Sequence, residues 1–163
     1  MDKRKYSRRY RFISMNDEYA NEIVANWHYD GTYSFYDMTA DEEDLKIFTE
    51  RGYWENMIFA VLDEFDDLIG WSPFFIEDKI LWLSLGLKPE LTGLGLGAEF
   101  VSECVEFAQS RYKLDKQPIK LEVALFNQRV IKVYKKVGFR VSGRVTKDTN
   151  GGKFIFLQMT REQ

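Results

Sequence analysis

The chain has 163 residues, 45% of them hydrophobic and 30% charged, and a net charge of −3. That length and composition suit one globular domain over 1–163 and exclude bulk disorder, collagen and coiled coil. Cys104 and His28 are the sole residues of their kinds, which excludes an internal disulfide and a Cys/His metal centre. There is no apolar leader and no run of about 18 apolar residues, so a reduced, cytoplasmic protein without membrane or nucleic-acid partners is expected.

In chain order, Arg9 to Ile13 reads as a short strand. Asn16 offers an N-cap, and Asp17 and Glu18 in the first turn suit the helix dipole, so a helix is expected to about Trp27. The stretch from Trp27 to Asp37 is aromatic and turn-rich and reads as a loop. Thr39 with Glu42 forms a capping-box pattern opening a helix to about Glu50. Three strands follow as a meander: Met57 to Leu62, Leu68 to Ile76, and Ile80 to Leu87. In the third, Leu81, Leu83, Leu85 and Leu87 share one face, and Gly86 suggests a bulge or the close approach of another backbone. A helix is expected from Leu96 to Tyr112, a strand from Ile119 to Leu125, and a helix from Asn127 to Val137 closed by Gly138. Phe139 to Lys147 and Lys153 to Met159 are strands joined through Asn150-Gly151, a hairpin signal. This order predicts an α/β (α+β) fold with a mixed, largely antiparallel six- to seven-stranded sheet flanked by helices.

Charge is segregated along the chain. Residues 12–67 hold fifteen acids against Lys46 and Arg51, whereas residues 79–161 are basic overall. Such a split suits a cationic substrate over the first half and a phosphorylated ligand over the second.

The most informative segment is Thr92-Gly93-Leu94-Gly95-Leu96-Gly97-Ala98, set between a strand and a helix. Backbone amides at a helix start, with glycines that permit close approach, bind phosphate. No Gly-Lys-Ser/Thr follows, so this is not a Walker loop. Gly93, Gly95 and Ala98 satisfy the loose dinucleotide pattern, but a meander precedes them where a first parallel βαβ strand should lie.

With its Lys88-Pro89-Glu90 lead, this segment resembles motif A of the GNAT superfamily of acetyl-CoA-dependent N-acetyltransferases. Leu121-Glu122-Val123, Asn127 and Val133-Tyr134-Lys135-Lys136-Val137-Gly138-Phe139 resemble its motif B. Residues 80–140 carry the specific likeness; residues 1–56 match in outline only. Where the family usually has Arg or Gln, this chain has the shorter Thr92.

The resemblance implies that the pantetheine arm of acetyl-CoA binds the backbone of Leu85 and Leu87. It implies a pyrophosphate on the amides of Leu94, Gly95, Leu96, Gly97 and Ala98, beside Thr92 and Gly93. Asn127 would contact the pantetheine arm, with Arg129 and Lys132 near the nucleotide phosphates. In relatives the residue matching Tyr134 protonates the departing sulfur. Glu122 matches the base of the ribosomal-protein alanine acetyltransferases, and Ser84 could help hold its water.

No Ser-His-Asp or Cys-His set exists, so direct attack of the amine without an acyl-enzyme is expected. Trp27, Tyr29, Tyr33, Phe35 and Tyr36 are expected to form the acceptor wall, with Asp30 or Asp37 facing an ammonium. The expected acceptor is a primary amine, on a protein N-terminus or a small molecule. A non-catalytic acyl-CoA-binding module is the alternative, and exposed final strands could pair two copies into a homodimer.

Overall fold

The computed structural model describes residues 10–114 and 116–162. The strand expected from Arg9 begins at Arg11, and Arg9 itself lies outside the described residues.

Among the described residues, eight strands and four α-helices follow one another. β1 is Arg11–Ser14, α1 Asp17–Asn26, α2 Glu42–Thr49, β2 Ile58–Leu62, β3 Leu68–Glu77, β4 Ile80–Leu83 and β5 Gly86–Leu87. α3 is Gly97–Arg111, β6 Ile119–Ala124, α4 Gln128–Lys136, β7 Arg140–Thr149 and β8 Gly152–Arg161. The strand order is β1-β2-β3-β4-β6-β8-β7, with the two-residue β5 paired to β3. β4 and β6 run parallel; all other pairs are antiparallel.

The sheet divides two cores, because alternate residues of a strand face opposite sides. From β2, Phe59 and Val61 pack with Phe100, Val101, Cys104 and Val105 of α3 and Ile131 and Tyr134 of α4. Its neighbours Ile58 and Ala60 pack with Ala20 and Ile23 of α1, Trp27, and Phe48 of α2. β2 is buried throughout, as a strand covered on both faces must be.

Three local expectations change. Asp41, not Thr39, caps α2: its carboxylate accepts from the amides of Glu43 and Asp44 at 3.0 and 3.1 Å. Thr39 lies within a 3-10 turn, Met38–Ala40, one element earlier. The aromatic loop also contains a 3-10 turn, Gly31–Tyr36.

The third change matters most. The strand expected over Ile80 to Leu87 breaks after Leu83. The Ser84 amide donates to the Pro73 carbonyl at 3.1 Å, and the Ser84 carbonyl accepts from the Ser72 hydroxyl at 2.7 Å. Gly86 and Leu87 then resume pairing, opposite Trp71 and Gly70. A Cβ on Gly86 would lie 2.6 Å from Cε2 of Trp71 and closer still to its Nε1. What approaches Gly86 is thus an indole ring beside a strand break, and not the backbone expected.

Candidate active site

β4 and β6 pair only at Leu81↔Ile119 and Trp82↔Lys120. β4 then ends at Leu83 while β6 continues to Ala124. The sheet therefore opens into a notch between the two parallel strands, with β5 along one side.

The glycine turn lies in the chain between β5 and the start of α3. Gly93 and Gly95 have φ of +74° and +79°, and a Cβ on either would meet nothing within 4 Å. They are glycines for backbone conformation, not for lack of room. No side chain caps α3 at Leu96, so the amides that open this helix lack a side-chain acceptor. Gly97 serves differently: its Cβ position is 3.4 Å from both methyls of Val133, so it lets α3 and α4 approach. Ala98 follows in the first turn of α3. The Thr92 hydroxyl donates to the Pro89 carbonyl at 2.7 Å and so faces its own turn. Arg129 and Lys132 are exposed on α4. Asn127 caps α4, its side-chain oxygen accepting from the Val130 amide at 3.3 Å.

The aromatic loop closes over this region from the first half of the chain. The Tyr29 hydroxyl donates to the Leu87 carbonyl at 2.7 Å. The Arg129 guanidinium lies 4.4 Å from the centre of the Tyr33 ring. The Asn150 side-chain amide donates to the Phe35 carbonyl at 2.8 Å. Between the loop and the glycine turn is a cavity of about 370 Å³, lined by residues 28–33 together with Pro89, Thr92 and Arg129.

Asp37 is occupied in holding the loop. One oxygen accepts from the Tyr29 amide at 2.8 Å, and the other lies 3.1 Å from Nδ1 of His28. That hydrogen bond, and a second from the ring to the Ala25 carbonyl, raise the His28 imidazole above its ordinary 6.5. Of the two acids expected to face an ammonium, only Asp30 lines the cavity. Trp27 is 2% exposed and belongs to the core under α1 and α2, not to the wall. Phe35 turns toward the C-terminal hairpin, lying 4.8 Å from Phe154 and 5.2 Å from Phe126, whereas Tyr36 lies 6.0 Å from Phe126, at the junction of β6 and α4.

Tyr134 is 7% exposed and packs edge-on against Phe139, 5.9 Å away. Burial pushes its phenol well above the ordinary 10, so it keeps its proton through the neutral and alkaline range. Glu122 lies on the opposite face of the sheet. Leu121 and Val123 on either side of it pack into the α3/α4 core, so Glu122 points toward α1 and α2. Its carboxylate meets the Lys147 ammonium and lies 3.5 Å from Nε2 of Gln158. Ser84 is exposed, and its backbone rather than its hydroxyl holds the strand break. Leu85 and Leu87 are partly buried against the α3/α4 core.

A family model for the acetyltransferase (GNAT) family matches residues 18–139. The chain belongs to that family. This GNAT protein is therefore an acyltransferase by class. Spermidine N-acetyltransferase from Vibrio cholerae, solved with CoA and spermine, is similar in fold, with a TM-score of 0.71 and 16% identity over 95% of this chain and 96% of that one. A chimera of the Vibrio cholerae enzyme is similar at a TM-score of 0.73 and 18% identity, over 96% of each chain. No curated protein matches the chain.

Several residues of this GNAT site escape a reading of the sequence. The Tyr29–Leu87 bond spans 58 residues and the Glu122–Lys147 pair joins different strands. A hairpin signal at Asn150-Gly151 was readable, but not that Asn150 would reach the Phe35 carbonyl.

Proposed function

We propose that the protein transfers an acetyl group from acetyl-CoA directly to a primary amine of a small, multiply charged amine. The observation that carries this reading is the notch between β4 and β6, flanked by Glu122 on one face and Tyr134 on the other. The acid-rich α1/α2 side supports a cationic acceptor, and the Vibrio cholerae relative was solved with spermine.

The residues fit the cofactor. Gly93 and Gly95 turn the backbone with open space above them, α3 begins without a cap, and Arg129 and Lys132 add positive charge on α4. These groups would hold the phosphates. When bound, acetyl-CoA supplies a thioester carbonyl for the amine to attack. The backbone of Leu85 and Leu87 would line the thioester arm, with Tyr29 yielding the Leu87 carbonyl. Asn127, at 8% exposure, would face the same arm.

Glu122 takes a proton from the amine through water, leaving it neutral and nucleophilic. Tyr134 presents its phenol proton to the departing sulfur. An ordinary thiol titrates near 8.5, below this buried phenol, so Tyr134 steadies the developing thiolate by a hydrogen bond and full proton transfer to it is uphill. Tyr29, Asp30, Tyr33, Phe35 and Tyr36 would bound the acceptor's path, with Ser84 beside the water.

Thiol release from acetyl-CoA across a panel of diamines, monoamines and N-terminal peptides tests the reading. Turnover with diamines, lowered by about a hundredfold or more in Glu122→Gln, is expected. Tight acetyl-CoA binding with no thiol release for any amine would make the protein a sensing module instead.

A further inference from the structure

Lys147 lies on β7 and reaches across β8 to Glu122. Its ammonium meets the Glu122 carboxylate and sits 5.2 Å from the centre of the Phe156 ring. Register explains the meeting. Glu122 and Ala124 of β6 lie opposite Gln158 and Phe156 of β8, so these four side chains share one face. Phe156 lies opposite Val145 of β7, and Lys147, two residues on, is its diagonal neighbour.

A carboxylate beside an aromatic face is the combination that recognises an alkylammonium. The surrounding wall continues that chemistry. Phe35 lies 6.0 Å from Phe156 and 4.8 Å from Phe154. Asp44 of α2 is close enough to Lys147 to feel its charge, which opposes the upward pull that burial, Asp41 and Glu43 exert on the Asp44 carboxyl. The Glu122 side chain is 20% exposed and that of Lys147 44% exposed. The carboxylate is thus the fixed half of the pair, and the long, flexible lysine has water to move into.

We propose that Lys147 sets acceptor affinity: its ammonium is an internal occupant of the place an acceptor ammonium takes, and the acceptor enters by displacing it. This rests on Glu122 being the group that receives the acceptor amine. A monoamine would merely exchange one ammonium for another at Glu122. A diamine also brings a second charge, which Asp44 on α2 can meet, so a diamine displaces Lys147 more readily than a monoamine does.

The test is calorimetric titration of the CoA-saturated protein with 1,4-diaminobutane and with n-butylamine, for the wild type, Lys147→Met and Lys147→Arg. Met keeps an apolar stem on Phe156 and removes the charge. A half-exposed ion pair and one cation–π contact together predict about five- to twentyfold tighter binding of both amines to Lys147→Met. The diamine preference should persist, because Asp44 is unchanged, and Lys147→Arg should bind as the wild type does. Where turnover is measurable, the KM for amine should fall by the same factor. Unchanged or weaker amine binding to Lys147→Met would overturn the proposal, as would a fall in kcat at constant KM, which would make Lys147 a support for Glu122. No amine binding to any of the three proteins would also overturn it. Glu122→Gln run alongside keeps the two readings apart: wild-type kcat in that variant removes Glu122 as the base, whatever Lys147 does to binding.

Discussion

Gly86→Ala is the sharpest probe of the architecture around the notch. The added methyl would sit 2.6 Å from Cε2 of Trp71, well inside contact distance, so either the indole or β5 must move. The indole is poorly placed to yield. Its main chain is paired to Ala60 on one side and Gly86 on the other, and its ring meets Phe48 of α2 edge-on at 5.3 Å. Overpacking of this kind costs about 1–3 kcal/mol. At about 2–4 °C per kcal/mol for a domain of this size, the melting temperature should fall by about 2–12 °C. Trp71→Leu opens room for the methyl, so the double variant should be less destabilised than the two single effects combined, by about 0.5–3 kcal/mol. Urea denaturation of the four proteins measures the cycle, and acetyl-CoA titration of each reports whether displacing β5 weakens the cofactor. A Gly86→Ala protein as stable as the wild type, or strictly additive effects, would refute the fixed-indole argument.

Tyr134→Phe should lower kcat by about a hundredfold with little change in KM for acetyl-CoA; steady-state thiol release checks it, and an unchanged kcat removes Tyr134 from the chemistry. Arg129→Ala removes the contact with Tyr33, worth about 0.5–1 kcal/mol, and should speed amide exchange across residues 28–36 while leaving the global melt in place; unaltered exchange would mean that the stacking does not hold the loop. His28 has a raised imidazole, so the stability it lends is full below pH 6.5 and is lost as pH rises through the raised value. Hydrogen exchange over residues 28–37 should therefore quicken with pH beyond its intrinsic base catalysis, and a His28→Gln protein should not show that excess.

The element order was legible because helix and strand periodicities are local, and the strands of β2 and β6 alternate or saturate with apolar residues as their burial requires. The glycine turn was legible as a turn between a strand and a helix, but not the left-handed backbone of Gly93 and Gly95, since close approach alone was the reason the spacing suggested for them. The break at Ser84 was not, because it depends on Ser72 and Pro73 reaching across from a neighbouring strand. The cap of α2 is Asp41 and not Thr39 because Thr39 is taken up in the Met38–Ala40 turn one element earlier, which the capping-box pattern does not announce. Trp27 looked like part of an aromatic wall by its neighbours in sequence; its place at the end of α1 turns it inward. Glu122 was found as a residue, but not its ammonium partner, since nothing in the spacing of Glu122 and Lys147 announces a contact across an intervening strand.

The docking of the last hairpin onto the first third of the chain has a consequence for synthesis. Asn150 meets Phe35 across 115 residues, and Thr149 meets Asp41 across 108. These are among the longest loops the fold has to close, and contacts of such separation form late. A nascent chain can therefore bury β2 between its flanking layers well before the aromatic loop gains its final anchor. Amine-binding competence should appear only once β8 has left the ribosome, and products that stop short of Asn150 would carry the glycine turn without a finished acceptor wall.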